Sequence, residues 1–344
     1  MPRVIFKRVL EALSGNTSSS SSGGNSSNHV EPNFSSDLST DQFQPYKIAR
    51  HGFPYRPTAL AYDPVQKLLA IGTYTGTIRI LGQSGVDRYI AHETDKPVIK
   101  LIFLNNQGAL VSVCADDTIH LWNLRQTQPA ILHSLKFNRE RITCTYIPHG
   151  SKWLYIGTDK GNVHLCHVES FTLSGYSISW NKAIELSQKS HPGQVIEIAE
   201  NPCNESRIII VFQCGTFVLW DLKQKEALQR YYCNNTIHHV CWHHEGKQFM
   251  CSHNDGIISL WSVSNKDKPI SFQRPHGELC KESSGSISYH AIEKVDWLSC
   301  TDAESLVIFS GGLAEEGDTQ PTITVMQGKS ITVLEMGSPV VDFV

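Results

Sequence analysis

His253-Asn254-Asp255-Gly256-Ile257-Ile258-Ser259-Leu260-Trp261 is the stretch from which the rest of this 344-residue chain is read. Taking Gly256 as zero, apolar side chains stand two and four places on, at Ile258 and Leu260, and an indole stands five places on, at Trp261. Side chains two apart on an extended strand share a face, so the even positions line one buried face and the fifth sends a large group to the other. A glycine at zero fits a tight turn with positive φ, where a Cβ is penalised. The stretch therefore predicts a hairpin turn followed by a core strand.

The pattern returns along the chain. Zeros fall at Gly76, Asp117, Gly161, Gly215 and Gly256, separated by 41, 44, 54 and 41 residues. Two places on stand Ile78, Ile119, Val163, Phe217 and Ile258, and four places on stand Ile80, Leu121, Leu165, Leu219 and Leu260. The fifth position holds Leu81, Trp122, Cys166, Trp220 and Trp261, with Trp220-Asp221 the one literal Trp-Asp ending. A second strand register precedes the zeros at Thr58 to Tyr62, Ile99 to Phe103, Ile142 to Tyr146 and His238 to Trp242. A period of roughly 40–45 residues with this ending is that of a four-stranded propeller blade. The fold expected is an all-β WD40-type propeller, whose radial stacking leaves only short edges.

Along the chain, blades are expected from about Pro57, Val98, Ile142 and Val195, with a fifth ending near Phe272. Ile178 to Ile184 accounts for the long third interval, and Pro275 to Ser288 for a rim loop rich in Gly, Ser and charge. A sixth, degenerate blade is read in Val295 to Trp297, Leu306 to Phe309, Thr322 to Met326 and Ile331 to Leu334. Pro339 to Val344 echoes Pro97 to Ile102 and reads as the first strand of a seventh blade, so the chain is expected to be one part of a longer protein. Tyr46 to His51 is expected to be an outer strand that closes the ring.

Before the propeller, assigned to residues 42–344, stand two other segments. Residues 1–13 place Ile5, Phe6, Val9 and Leu13 on one helical face beside Arg3, Lys7 and Arg8, a pattern that offers weak contact with an anionic membrane or docks on the propeller. Residues 14–41 open with a run of Ser, Asn, Gly and Thr that has too little apolar surface to pack, and read as a linker.

With 30 Lys and Arg against 33 Asp and Glu, the formal charge of −3 provides no general attraction for nucleic acid. Ten cysteines, none in a Cys-x-x-Cys pair and most inside expected strands, read as small buried thiols of a reducing compartment, so a cytoplasmic home is expected. No apolar run approaches the roughly 18 residues of a membrane-spanning helix.

Candidate chemistry is sparse. His238, His239, Cys241, His243 and His244 form the densest polar cluster, but ligands two apart on a strand splay roughly 6–7 Å at the backbone, and the expectation is packing between blades. Asp116-Asp117 reads as turn rather than as a carboxylate pair, because consecutive side chains point apart. Trp122, Trp220 and Trp261 share one repeated position, which a core role explains at once. No enzyme site, metal or cofactor is expected, and function is assigned to the loops on the rims.

Longer strings carry a resemblance. His51 to Lys67 (HGFPYRPTALAYDPVQK), Asp117 to Arg125 (DTIHLWNLR), Leu132 to Ile142 (LHSLKFNRERI), Trp180 to Leu186 (WNKAIEL), Trp242 to His253 (WHHEGKQFMCSH), Phe309 to Gly312 (FSGG) and Gly328 to Met336 (GKSITVLEM) resemble the Lethal giant larvae family, and within it the tomosyn branch. The resemblance covers about residues 42–344. It implies tandem seven-bladed propellers, regulation of exocytosis through syntaxin-class SNARE proteins, and peripheral association with the plasma membrane. The wider family implies cell polarity, myosin II binding and small-GTPase regulation as the alternative. Tomosyn-like proteins end in a SNARE-type coiled coil, and no sustained apolar heptad stands in this sequence.

Overall fold

The computed structural model describes residues 52–126, 128–138, 140–184, 190–277, 288–300, 304–315 and 320–344. The expected basic segment with Arg3, Lys7 and Arg8, the linker, and the ring-closing strand at 46–51 lie outside the described residues.

The described chain builds six four-stranded antiparallel sheets, each joined in strict sequence order. Blade one holds β1 (Pro57–Asp63), β2 (Leu68–Thr73), β3 (Thr77–Leu81) and β4 (Asp87–Ala91). Blade two holds β5 (Val98–Leu104), β6 (Ala109–Cys114), β7 (Thr118–Asn123) and β8 (Ala130–Lys136). Blade three holds β9 (Ile142–Tyr146), β10 (Trp153–Thr158), β11 (Val163–His167) and β12 (Thr172–Ile178), followed by the short helix α1 (Trp180–Ile184) that fills the long interval. Blade four holds β13 (Val195–Asn201), β14 (Asn204–Phe212), β15 (Thr216–Asp221) and β16 (Glu226–Tyr232). Blade five holds β17 (Ile237–Trp242), β18 (Gln248–His253), β19 (Ile258–Ser262) and β20 (Ser271–Gln273), and blade six β21 (Ile292–Leu298), β22 (Leu306–Gly311), β23 (Thr322–Gln327) and β24 (Ser330–Glu335).

The innermost strands β1, β5, β9, β13, β17 and β21 neighbour one another in that order. Two of the joints share one bond: Thr58 Oγ1 donates to the Val98 carbonyl at 2.6 Å, and Thr143 Oγ1 to the Val195 carbonyl at 2.6 Å. The zero positions sit where expected, with φ of +75° at Gly76, +63° at Asp117, +71° at Gly161, +83° at Gly215 and +70° at Gly256. Trp122 stands opposite Leu110, Trp220 opposite Ile208 and Trp261 opposite Phe249, the same place in successive sheets.

The two sets of repeated side chains pack in opposite directions round the ring. Ile119 and Leu121 join the apolar cluster shared with blade three, whereas Trp122 joins the cluster shared with blade one. Phe217 and Leu219 likewise face blade five, while Trp220 faces blade three. Middle strands are thus buried on both faces, which is why Ile208 to Phe212 is an unbroken apolar run.

That rule also explains where burial fails. Leu81 has no preceding blade among the described residues to pack against, and it is half-exposed. Ile323 and Val325 have no following blade, and they too are half-exposed. Leu260, expected in the core, is likewise half-exposed. Pro339 to Val344, expected as a strand, carries no strand ladder. It is held instead by side chains: Lys294 of β21 pairs with Asp342 Oδ1 at 2.8 Å and donates to the Phe343 carbonyl. Ladders in this fold run within a blade, and no further strand of the same blade stands among the described residues for the segment to pair with.

Candidate functional site

The propeller signature residues resolve into structural fastenings. His92 Nδ1 lies 2.6 Å from the Gly76 carbonyl, and its Nε2 lies 2.8 Å from Ser112 Oγ. A carbonyl only accepts, so Nδ1 carries the proton. The neutral ring then accepts at Nε2 from the Ser112 hydroxyl, whose oxygen accepts Trp122 Nε1–H at 2.9 Å. Burial holds His92 below its ordinary pKa, consistent with that neutral ring. Blade five makes a His–Ser–Trp relay of its own, within one blade, from His253 through Ser259 to Trp261 at 2.7 and 2.8 Å.

His92, Cys114 and His120 bring three donor atoms within 4.8 Å of one another. Both His92 nitrogens are already committed, and His120 Nδ1 lies 2.8 Å from Ser134 Oγ, leaving one free imidazole nitrogen. Burial, aided by the charge of Asp116, pushes the Cys114 thiol up to about 12, and burial takes His120 down to about 4. A metal ion here would have to break the Ser112 bond and strip a protonated thiol, so the donors do not form a prepared site.

The histidine cluster of the fifth blade is taken up by separate contacts, although the His243 and His244 rings lie 4.2 Å apart. His238 Nδ1 pairs with Glu293 at 3.3 Å, the His243 ring sits 4.5 Å from that of Trp297, and His244 bonds Ser299. These contacts fasten blade five to blade six, as the packing reading expects. Asp117 does more than turn the chain: its Oδ1 accepts the Ile142 N–H at 2.9 Å, joining blade two to blade three. Asp221 is buried and accepts from the backbone of Lys223 and Gln224 at 2.8 and 2.9 Å, closing its own turn.

Two concavities remain as candidate interaction surfaces. The first, of about 650 Å³, lies among the inner strands, where Lys100, Glu197, Lys294 and Asp342 mix both signs of charge. Leu60, Ala61 and Tyr62 of β1 share its wall with Asp342 and Val344. The second, of about 610 Å³, is a groove between blades three and four walled by Trp153, Tyr155, Leu165, Tyr176 and Leu222. Tyr176 accepts Trp220 Nε1–H at 3.2 Å, and the Lys225 ammonium stands 5.0 Å from the Tyr176 ring centroid. Glu200, on β13 of blade four, has its carboxyl pushed up to about 7 by burial and then by the charge of Glu205. Sequence reading missed this groove, because Trp153 and Tyr155 of β10 and Tyr176 of β12 stand at none of the repeated positions from which the strands were read. Among the described residues no helix is long and apolar enough to cross a membrane.

Comparison with known proteins places these surfaces in context. A sequence model of the LLGL2 family matches residues 274–344, and one of the WD domain, G-beta repeat, matches residues 225–262. The chain is 30% identical over 328 residues to the LLGL scribble cell polarity complex component 2 of Danio rerio, and 29% identical over 331 residues to that of Homo sapiens. It is 26% identical over 336 residues to the Lethal(2) giant larvae protein homolog 1 of Rattus norvegicus. These matches take in 88 to 89% of this chain and 31% of each relative.

Proposed function

We propose that this chain is a non-enzymatic scaffold of the Lethal giant larvae type, which assembles with cell-polarity proteins at the cytoplasmic face of the plasma membrane. The observation that carries the reading is the 30% identity, over 88% of the chain, to a relative named as a component of the scribble cell polarity complex. The propeller fits that role, since it presents rims and inter-blade grooves on a rigid frame. Its partners on this reading are proteins of the cell cortex, with myosin II and small GTPases as the classes to assay first. The test is expression of the tagged chain in polarised epithelial cells. Enrichment at the cortex and co-purification with scribble-complex proteins are expected; a diffuse distribution with no such partner removes the reading.

The strings at His51 to Lys67 and Trp242 to His253 favour a second reading, regulation of secretion through syntaxin-class SNARE proteins. Saturable binding of purified syntaxin by this chain alone would move the assignment there.

A further inference from the structure

We propose that the outer strand of blade six, β24, is a homodimerisation edge that pairs antiparallel with the same strand of a second copy of this chain, in a register centred on Thr332. The sheet order ends at β24, so among the described residues one side of this strand has no ladder partner. Its six side chains are all exposed, with Ile331 at 42%, Val333 at 36% and Leu334 at 45%. Folded proteins guard such edges with bulges, charges or short strands. The other outer strands of this chain carry those guards: β8, β12 and β16 are bulged, β20 has three residues, and β4 holds Asp87 and Arg88. By contrast, β24 pairs with β23 without a break and holds no charge from Ser330 to Leu334.

The string Lys329-Ser330-Ile331-Thr332-Val333-Leu334-Glu335 is complementary to itself. Laid antiparallel on a copy about Thr332, it sets Lys329 opposite the partner's Glu335 at both ends, and Ile331 opposite the partner's Val333 between them. Opposite charges and β-branched apolar pairs are the cross-strand contacts that stabilise a sheet. Both charged side chains are exposed, and neither has an ion-pair partner among the described residues. Centring on Ile331 or Val333 instead would set Lys329 against the partner's Val333, or Glu335 against the partner's Ile331. The backbone agrees with the Thr332 register. Met336 N–H donates to the Pro321 carbonyl at 2.7 Å, and hydrogen-bonded residues alternate along an antiparallel ladder, so Ser330, Thr332 and Leu334 turn their backbone groups to β23. Ile331 and Val333 turn theirs outward, where this register makes them hydrogen-bonded pairs. The inference stands apart from the polarity assignment, because it rests on this strand alone.

The experiment is sedimentation velocity on the full 344-residue chain. A monomer–dimer equilibrium is expected between about 1 and 100 µM, the range of a small edge contact. Lys329→Glu or Glu335→Lys alone sets like charges opposite each other at both ends and is expected to weaken the dimer about tenfold. The double reversal restores the pairs and is expected to bring the affinity back to within about threefold of wild type. Val333→Lys places a charge on the edge and is expected to abolish the dimer with Tm unchanged, because this side chain is already exposed. Thr332→Cys puts two thiols on a non-hydrogen-bonded pair with Cα atoms roughly 4.5 Å apart, and mild oxidation is expected to link them. A monomeric mass throughout, a dimer that neither single reversal weakens, or no cross-linking of Thr332→Cys above the wild-type level overturns the proposal.

Discussion

Trp122 Nε1 lies 2.9 Å from Ser112 Oγ on the adjacent strand of the same blade, and the same hydroxyl meets His92 Nε2 from the neighbouring blade. One buried side-chain oxygen thus links two blades. Ser112→Ala removes it and leaves an indole N–H and an imidazole nitrogen buried without partners. Each orphan costs about 1–3 kcal/mol, so a loss of about 2–6 kcal/mol is expected. Thermal denaturation should show Tm lower by ~5 °C or more. An unchanged Tm would mean that the hydroxyl contributes nothing to the blade contact.

Gly215 has φ of +83°, and a Cβ built on it would stand 2.2 Å from the Cys233 carbonyl oxygen. Both the backbone conformation and the space exclude a side chain. Gly215→Ala is expected to destabilise by about 2–3 kcal/mol. Gly175 lies within β12, with open space around it and no positive φ, so Gly175→Ala should be neutral or slightly stabilising. Urea titrations of the two variants give the comparison, and equal midpoints would refute the turn assignment.

Glu200 makes stability depend on pH with a definite sign. Burial, with Glu205 second, raises its carboxyl from 4.5 to about 7 in the fold. Between these values the folded state binds more protons than the unfolded chain, so this group's contribution to stability falls as pH rises from about 4.5 to about 7. Glu200→Gln should flatten that part of the profile. The buried His92, His253 and His276 act oppositely, because burial lowers their pKa values and acid favours the unfolded chain below about 6.5. The difference between wild type and Glu200→Gln isolates the carboxylate; identical Tm-versus-pH curves would count against it.

Lys294 holds the C-terminal segment through Asp342, at 2.8 Å, while Phe343 N–H donates to the same carboxylate oxygen at 2.8 Å. Asp342→Ala removes both bonds. The side chains are partly shielded, so a coupling of about 1 kcal/mol is expected, equivalent to a roughly fivefold loss of protection. Hydrogen exchange at Val341 to Val344 reads this directly, with the inner strands as an internal standard. Faster exchange in Asp342→Ala confined to this segment is the expected result, and no change would show that the tether carries no load.

The comparison of sequence with structure divides along the range of the interactions involved. The turn at Gly256, the buried side chain at Ile258 and the indole at Trp261 depend on a residue and its near neighbours, and each is found in the folded chain where the string puts it. Strand period and turn chemistry act over a few residues, so a repeated string reports them faithfully. By contrast, nothing local distinguishes Ile323 from Ile258, yet the first is half-exposed and the second buried. Nor does any string announce that Asp117 reaches Ile142, or that Trp153 and Tyr176 meet Leu222 across two blades.

By itself, then, the sequence determined a propeller of repeated four-stranded units and the positions of its turns. Only the tertiary structure decided which face of each strand meets which neighbour, where the ring leaves apolar side chains half-covered, and how two distant strands and a turn enclose an aromatic groove. The physical reason is that backbone conformation answers to local sterics and hydrogen bonding, whereas burial is a property of what lies alongside, and what lies alongside is contributed by residues some 20 to 70 places away along the chain.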